Sequence, residues 1–285
     1  MEKSWRTELA AQIFEEKHVR KRNQRRVRLE GRTPDVFISG GLAPFAATLR
    51  RSNEITEIER SSELGTMTYR GVPLTVFDED LFLAILSTRR GQKEDAHPRD
   101  EEDELTTYAR CVFETSYSEL LRFMGIGWNG KSLALIKKRL DALMMGVMSI
   151  RWKEPEDVWR NRKFHLVDAI YDDEADNRLR IRLSLDVLLL YEIRNEYQGY
   201  LEDRSKVRSA ATKRVITYLH HLKHFRQKGE HRESLKRLAE KINWTLPERA
   251  DNRKRDLKTM ARELKEAGIS MGIDDKNGML VFMKG

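Results

Sequence analysis

Leu133, Ile136, Leu140, Leu143, Met144 and Val147 fall at i, i+3, i+7, i+10, i+11 and i+14, and a helix is the backbone that lines up such a set. The stripe dictates a helix from Lys131 to Met148 with one buried face. What precedes it narrows the choice further. Thr115 or Ser116 can cap an earlier helix whose apolar positions Leu120, Leu121 and Met124 share a side, and Gly125 to Gly130 then form a turn. Helix, tight turn and helix with an apolar seam make a helix-turn-helix unit, whose second helix can enter a DNA major groove. Opposite the stripe, Lys131, Ala134, Lys138 and Asp141 form a short, partly basic face.

The same turn reads GIGWNGKS from Gly125 to Ser132 and fits the phosphate-cradling pattern G-x-x-x-x-G-K-[ST]. A working P-loop needs a buried strand running into it, so that loop N–H groups converge on the phosphates from a rigid platform. Here the glycines join helix to helix. For a magnesium-binding acid, LTVFD (Leu74 to Asp78) precedes the loop and FHLVD (Phe164 to Asp168) is a weak candidate. A P-loop ATPase is therefore the minor alternative. His220, His221 and His224 include an i, i+4 pair, yet no H-E-x-x-H accompanies it, and a surface or partly buried cluster is the better reading. The carboxylates of Asp95 to Glu104 and Asp172 to Asp176 read as loops without fixed geometry. Nothing argues for an enzyme, and neither cofactor nor metal is expected.

Of the 285 residues, 35% are charged, and the net charge is +8. Such a balance favours a polyanionic partner, because each phosphate neutralised by Lys or Arg releases condensed counterions. Cys111, the single cysteine, excludes an internal disulfide and multi-cysteine zinc sites; its apolar neighbours give it a buried role. No apolar run approaches the roughly 18 residues that cross a bilayer, and the first residues lack the apolar core of a signal peptide. A cytoplasmic protein is expected. The segment Lys17 to Arg28, with Arg20, Lys21, Arg22, Arg25 and Arg26, is either a solvated tail or an arm lying along phosphates.

Folded structure is expected from Leu42. Thr68 to Val76 reads as strand, turn, strand, Phe77 to Arg90 as a helix capped by Asp78, and Cys111 to Phe113 as a strand. Beyond the helix-turn-helix, strands are expected at Ser149 to Lys153, Lys163 to Tyr171 and Arg178 to Ser184. In the last, Leu179, Ile181 and Leu183 share one side while Arg178, Arg180 and Arg182 share the other. That Arg row is either a solvated sheet face or a phosphate-contacting surface. A recognition-type helix followed by a hairpin is a winged helix.

The second half repeats the order without repeating the letters. Helices are expected over Val207 to Gln227, Ser234 to Ile242 and Asp251 to Ala267, with Gly268 as the stop and a closing hairpin turned by Lys276, Asn277 and Gly278. Outward on the third helix point Asn252, Arg255, Thr259 and Arg262, with Lys258 at the edge. These side chains suit base edges and phosphates, although a solvated helix face carries the same residues. Arg249, Arg253 and Lys254 crowd the positive end of the helix dipole, an arrangement that external phosphates would offset. Together with Lys131, Lys138, the Arg row, Lys276 at the hairpin tip and the basic arm, they form the candidate DNA-binding set. The expected class is α+β, mostly helical, with a basic arm (1–41) and two winged-helix domains (42–200 and 201–285).

Tandem winged helices on a basic chain resemble the plasmid replication initiators of the TrfA and RepA group. The likeness is carried by YRGVPL, by TSYSELLRFMGIGWNGKS leading into IKKRLDALMMGVMSIRW, and by the turn Gly127-Trp128-Asn129-Gly130. It implies binding of duplex DNA at repeated origin sites (iterons), origin melting and recruitment of the host replicative helicase and initiator, with interconversion between dimers and monomers. A winged-helix transcriptional regulator would use the same DNA contacts. The family's clamp-binding peptide is matched only by AAQIF at Ala10 to Phe14.

Overall fold

The computed structural model describes residues 43–49, 54–62, 65–88, 111–153, 159–173, 178–184, 186–187, 197–274 and 278–285. The basic arm and Lys276 lie outside these residues.

Two apolar clusters organise the chain. In the first, Ile136, Leu140 and Leu143 of the predicted stripe pack with Phe82, Leu120 and Ile181. Each buried Leu or Ile of this kind contributes about 1.5–3 kcal/mol. The second cluster joins Val215, Leu219, Leu238, Ile242, Met260, Leu264, Leu280 and Phe282.

Around the first cluster the order is α1 (Val76–Thr88), β5 (Val112–Thr115), α2 (Tyr117–Phe123) and α3 (Gly130–Met145), followed by β8 (Val167–Asp173) and β9 (Arg178–Leu183). Around the second it is α5 (Ala210–His221), β10 (Glu230–Glu233), α7 (Leu235–Ile242) and α8 (Ala250–Glu266), then β11 (Ile269–Asp274) and β12 (Met279–Lys284). The sheets correspond as well, with strand orders β5-β9-β8 and β10-β12-β11. Helix, strand, helix, helix and a later hairpin, with the early strand paired to the hairpin's second strand, recur in two units, one around each cluster.

Into the first unit is built a four-stranded antiparallel sheet of β2 (Thr56–Ser62), β3 (Gly65–Gly71), β6 (Val147–Lys153) and β7 (Trp159–His165). It bears on four expectations. Val147 and Met148 leave the helical stripe, because Gly146 turns extended and Val147 takes its place opposite Arg70 and His165. Lys163 to Tyr171 is two strands in different sheets, parted at Leu166. Thr68 to Val76 is strand, turn and strand as expected, with the two strands in different sheets: β4 (Leu74–Thr75) runs parallel to β1 (Phe45–Ala46), while β3 lies between β2 and β6. Finally, α3 is followed first by β6 and β7, and the wing β8–β9 comes after them.

In the second unit the expected long helix breaks at Leu222, whose φ −76 and ψ 109 leave the helical region, so α5 gives way to the short α6 (Lys223–Lys228). Between the units runs α4 (Tyr197–Ser205), packed against α1 and α5.

Candidate nucleic-acid interface

The helix-turn-helix of the first unit is set by local polar contacts. Ser116 caps α2, its hydroxyl accepting the Glu119 N–H at 3.2 Å. Gly125 takes φ +68, which an L side chain adopts only with strain. Asn129 then caps α3: its side chain accepts the Ser132 N–H at 2.9 Å, and the Ser132 hydroxyl accepts the Asn129 N–H at 2.9 Å. That hydroxyl also lies 2.9 Å from the Gly127 carbonyl and 2.8 Å from that of Asn129. In GIGWNGKS, therefore, the Ser is buried and committed to a capping box, and the loop enters from a helix.

Lys131 and Lys138 are exposed on α3, with Ala134, Leu135 and Asp141. The helix is held from behind by Asp172, whose carboxylate accepts the Tyr117 hydroxyl at 2.7 Å and pairs with Lys137 at 3.2 Å. Asp172 and Asp173, expected on a loop, lie in β8, and Asp172 ties α2, α3 and the wing together. The Arg row divides. Arg178 and Arg180 are exposed, Arg180 pairing with Glu114 at 3.0 Å, whereas Arg182 is half-buried; Leu179, Ile181 and Leu183 face the core as predicted.

In the second unit α8 buries Met260 and Leu264 and half-buries Leu257. Arg255, Lys258 and Arg262 are exposed; Asn252 and Thr259 are half-buried at the border of that face. Arg249 is the N-cap of α8 and makes no side-chain capping bond. Arg253 has a different place: its guanidinium donates to the carbonyls of Pro247 (2.9 Å) and Glu248 (2.8 Å), so it braces the turn into α8. The buried Glu263 on the inner side of α8 accepts the N–H groups of Arg208 and Ser209 at the start of α5. The carboxylate sits at the positive end of that helix's dipole and fixes α8 against α5. Sequence alone does not single out Lys236 and Arg237, exposed on α7, the helix before α8. Their signal is position, since the first helix of a helix-turn-helix crosses the DNA backbone.

The i, i+4 histidines have separate partners. His220 contacts Asp203 at 3.3 Å, whereas His224 Nε2 lies 2.7 Å from Nδ1 of His231. Tyr218 bridges His231 Nε2 and Glu233, each at 3.2 Å. Burial, the neighbouring His224 and Lys241 push His231 down to about 4, so the ring is neutral at pH 7. Burial and Glu233 push the Tyr218 phenol above its ordinary range. Among the described residues, no group of three or more His, Cys, Asp or Glu could hold a metal, and no helix is long and apolar enough to cross a membrane.

The chain is similar in fold to domains 2 and 3 of RctB. One crystal structure, of selenomethionine derivatives of those domains, matches with a TM-score of 0.57 at 12% identity, covering 88% of this chain and 97% of the other. A second, of RctB domains 2-3, matches with a TM-score of 0.52 at 11% identity and the same coverage. No protein-family model matches the chain, and no curated protein matches it in sequence.

Proposed function

We propose that the protein is a replication initiator that binds duplex DNA at an origin. The observation that carries this reading is a repeated order of helices and hairpin, which we read as two winged helices, in a basic chain, each unit turning a cationic helix face outward: Lys131 and Lys138 on α3, Arg255, Lys258 and Arg262 on α8. The fold match to RctB domains 2 and 3 supports an initiator role, and so does the resemblance to the TrfA and RepA group. In this reading α3 and α8 enter successive major grooves of repeated sites in a plasmid origin, while Arg178, Arg180, Lys276 and the basic arm hold phosphates. Two such units cover about two helical turns, a site of roughly 20 base pairs. Helicase recruitment and a dimer that withholds initiation belong to the same proposal.

Permanganate footprinting of a supercoiled origin tests it, because an initiator leaves unpaired thymines next to its sites. Protection of the sites with every thymine still paired would instead favour a regulator using the same contacts.

A further inference from the structure

Between the two units lies a cluster of ions almost entirely removed from water. Asp78, Glu79 and Asp80 open α1, and each is buried. Asp80 accepts Arg204 Nε at 2.6 Å and Lys213 Nζ at 2.6 Å; Glu79 pairs with Arg204 at 3.0 Å and with Arg214. Arg204 also donates to the carbonyls of Val76 (3.1 Å) and Lys213 (2.9 Å), and Arg214 to that of Ile242 (3.2 Å). Burial lowers the Arg204 pKa, but Asp80 and Glu79 more than offset this, so the guanidinium stays charged. Arg60, beside the cluster, is pushed down to about 10 by burial and by Arg214.

The cluster reaches both recognition helices. On one side Asp78 pairs with Arg139 of α3 at 3.2 Å, and the Phe77 ring lies beneath both Arg139 and Lys213. On the other, Lys213 and Arg214 belong to α5, to which Glu263 fixes α8. A second tie runs alongside: Asn243, left-handed at φ 65, donates from Nδ2 to the Phe45 carbonyl (3.1 Å) and accepts the Ala47 N–H (3.0 Å). The apolar clusters of the two units are separate. An apolar contact tolerates sliding, whereas paired ions in a dry site have a narrow set of permitted positions, and displacing one leaves a buried charge uncompensated.

We propose that this ion cluster fixes the register of α3 against α8 and thereby determines which half-site spacing the protein accepts. The consequence for DNA rests on the duplex-binding reading above; the rigidity does not.

The test uses the full chain with Cys111→Ala, and spin labels at Asp141→Cys on α3 and Glu266→Cys on α8, read by pulsed dipolar spectroscopy without DNA. The parent gives one narrow distance distribution. Lys213→Met broadens it about twofold or more, Lys213→Arg restores it, and Asn243→Gly, which keeps the left-handed backbone and loses the side-chain tie, broadens it less. A distribution unchanged in Lys213→Met overturns the proposal, whatever Asn243→Gly does. In a DNA arm, two base pairs inserted between half-sites rotate one against the other by about 70°. The parent discriminates against the insertion by about tenfold or more, and Lys213→Met by about threefold or less. If the parent binds no duplex while the label distances behave as stated, the DNA reading fails and the rigid junction stands. If binding is specific and Lys213→Met keeps the parent's spacing preference, the spacing role fails alone.

Discussion

Asn129 and Ser132 exchange two hydrogen bonds, each 2.9 Å long, across the first turn of α3. The Ser of a nucleotide-binding loop would offer that hydroxyl to magnesium. Here it closes the helix, so Asn129→Ala is expected to cost about 1 kcal/mol in thermal or denaturant unfolding. Lys131→Ala is expected to leave nucleotide affinity unchanged in equilibrium ATP titrations; a micromolar affinity abolished by that substitution would contradict the helix-turn-helix assignment.

Arg255 and Arg262 face solvent on α8, while Arg253 donates its hydrogen bonds to the turn before it. Arg255→Ala and Arg262→Ala are each expected to weaken specific DNA binding by about 1–3 kcal/mol. Each phosphate left without its cation lowers the slope of log affinity against log salt by about 0.9. Arg253→Ala is expected to lower the melting temperature, an effect the other two do not share. Equal behaviour of all three would place Arg253 at the DNA instead.

His231 is held neutral by burial and is faced by His224, Tyr218, Glu233 and Lys241. Its folded pKa, about 4, lies below the unfolded value of about 6.5. The unfolded chain therefore binds the proton first, and stability falls as pH drops from about 6.5 towards 4. Melting temperatures across that window are expected to decline more steeply for the parent than for His231→Leu. Parallel curves would remove His231 as the titrating group.

Gly146 ends α3 where Tyr69 packs, and a Cβ there would collide with the Tyr69 ring, whose hydroxyl donates to the Val72 carbonyl at 2.8 Å. Gly146→Ala is expected to destabilise by about 1–3 kcal/mol through overpacking. Tyr69→Phe, which removes the nearest clashing atom, the hydroxyl oxygen, but keeps the ring carbons that also collide, is expected to relieve only part of that clash in the double variant, as chemical denaturation would reveal.

Legibility in the sequence follows the range of the interactions. The α3 and α8 stripes are readable because Ile136, Leu140, Met260 and Leu264 repeat at helical spacing, whereas the Asn129 cap lies inside a stretch that reads only as a turn. Val147 misleads because its spacing fits the stripe, while its partners, Arg70 and His165, come from distant strands. The break at Leu222 is hidden by helix-forming residues on both sides. Exposure of Arg255 and Arg262 follows from the wheel, but the bracing role of Arg253 depends on where two carbonyls of the preceding turn lie. Least visible is the ion cluster: Asp80 and Lys213 are 133 residues apart, and DED at Asp78 to Asp80 reads as an ordinary acidic helix start.

The most direct test of duplex recognition by paired helices is selection of bound DNA from a random pool by the full chain. Enrichment of a two-part or directly repeated motif over roughly 20 base pairs, abolished by Arg255→Ala and Arg262→Ala together, is the expected result. A pool that emerges unenriched, or a motif that survives the double substitution unchanged, would contradict the account.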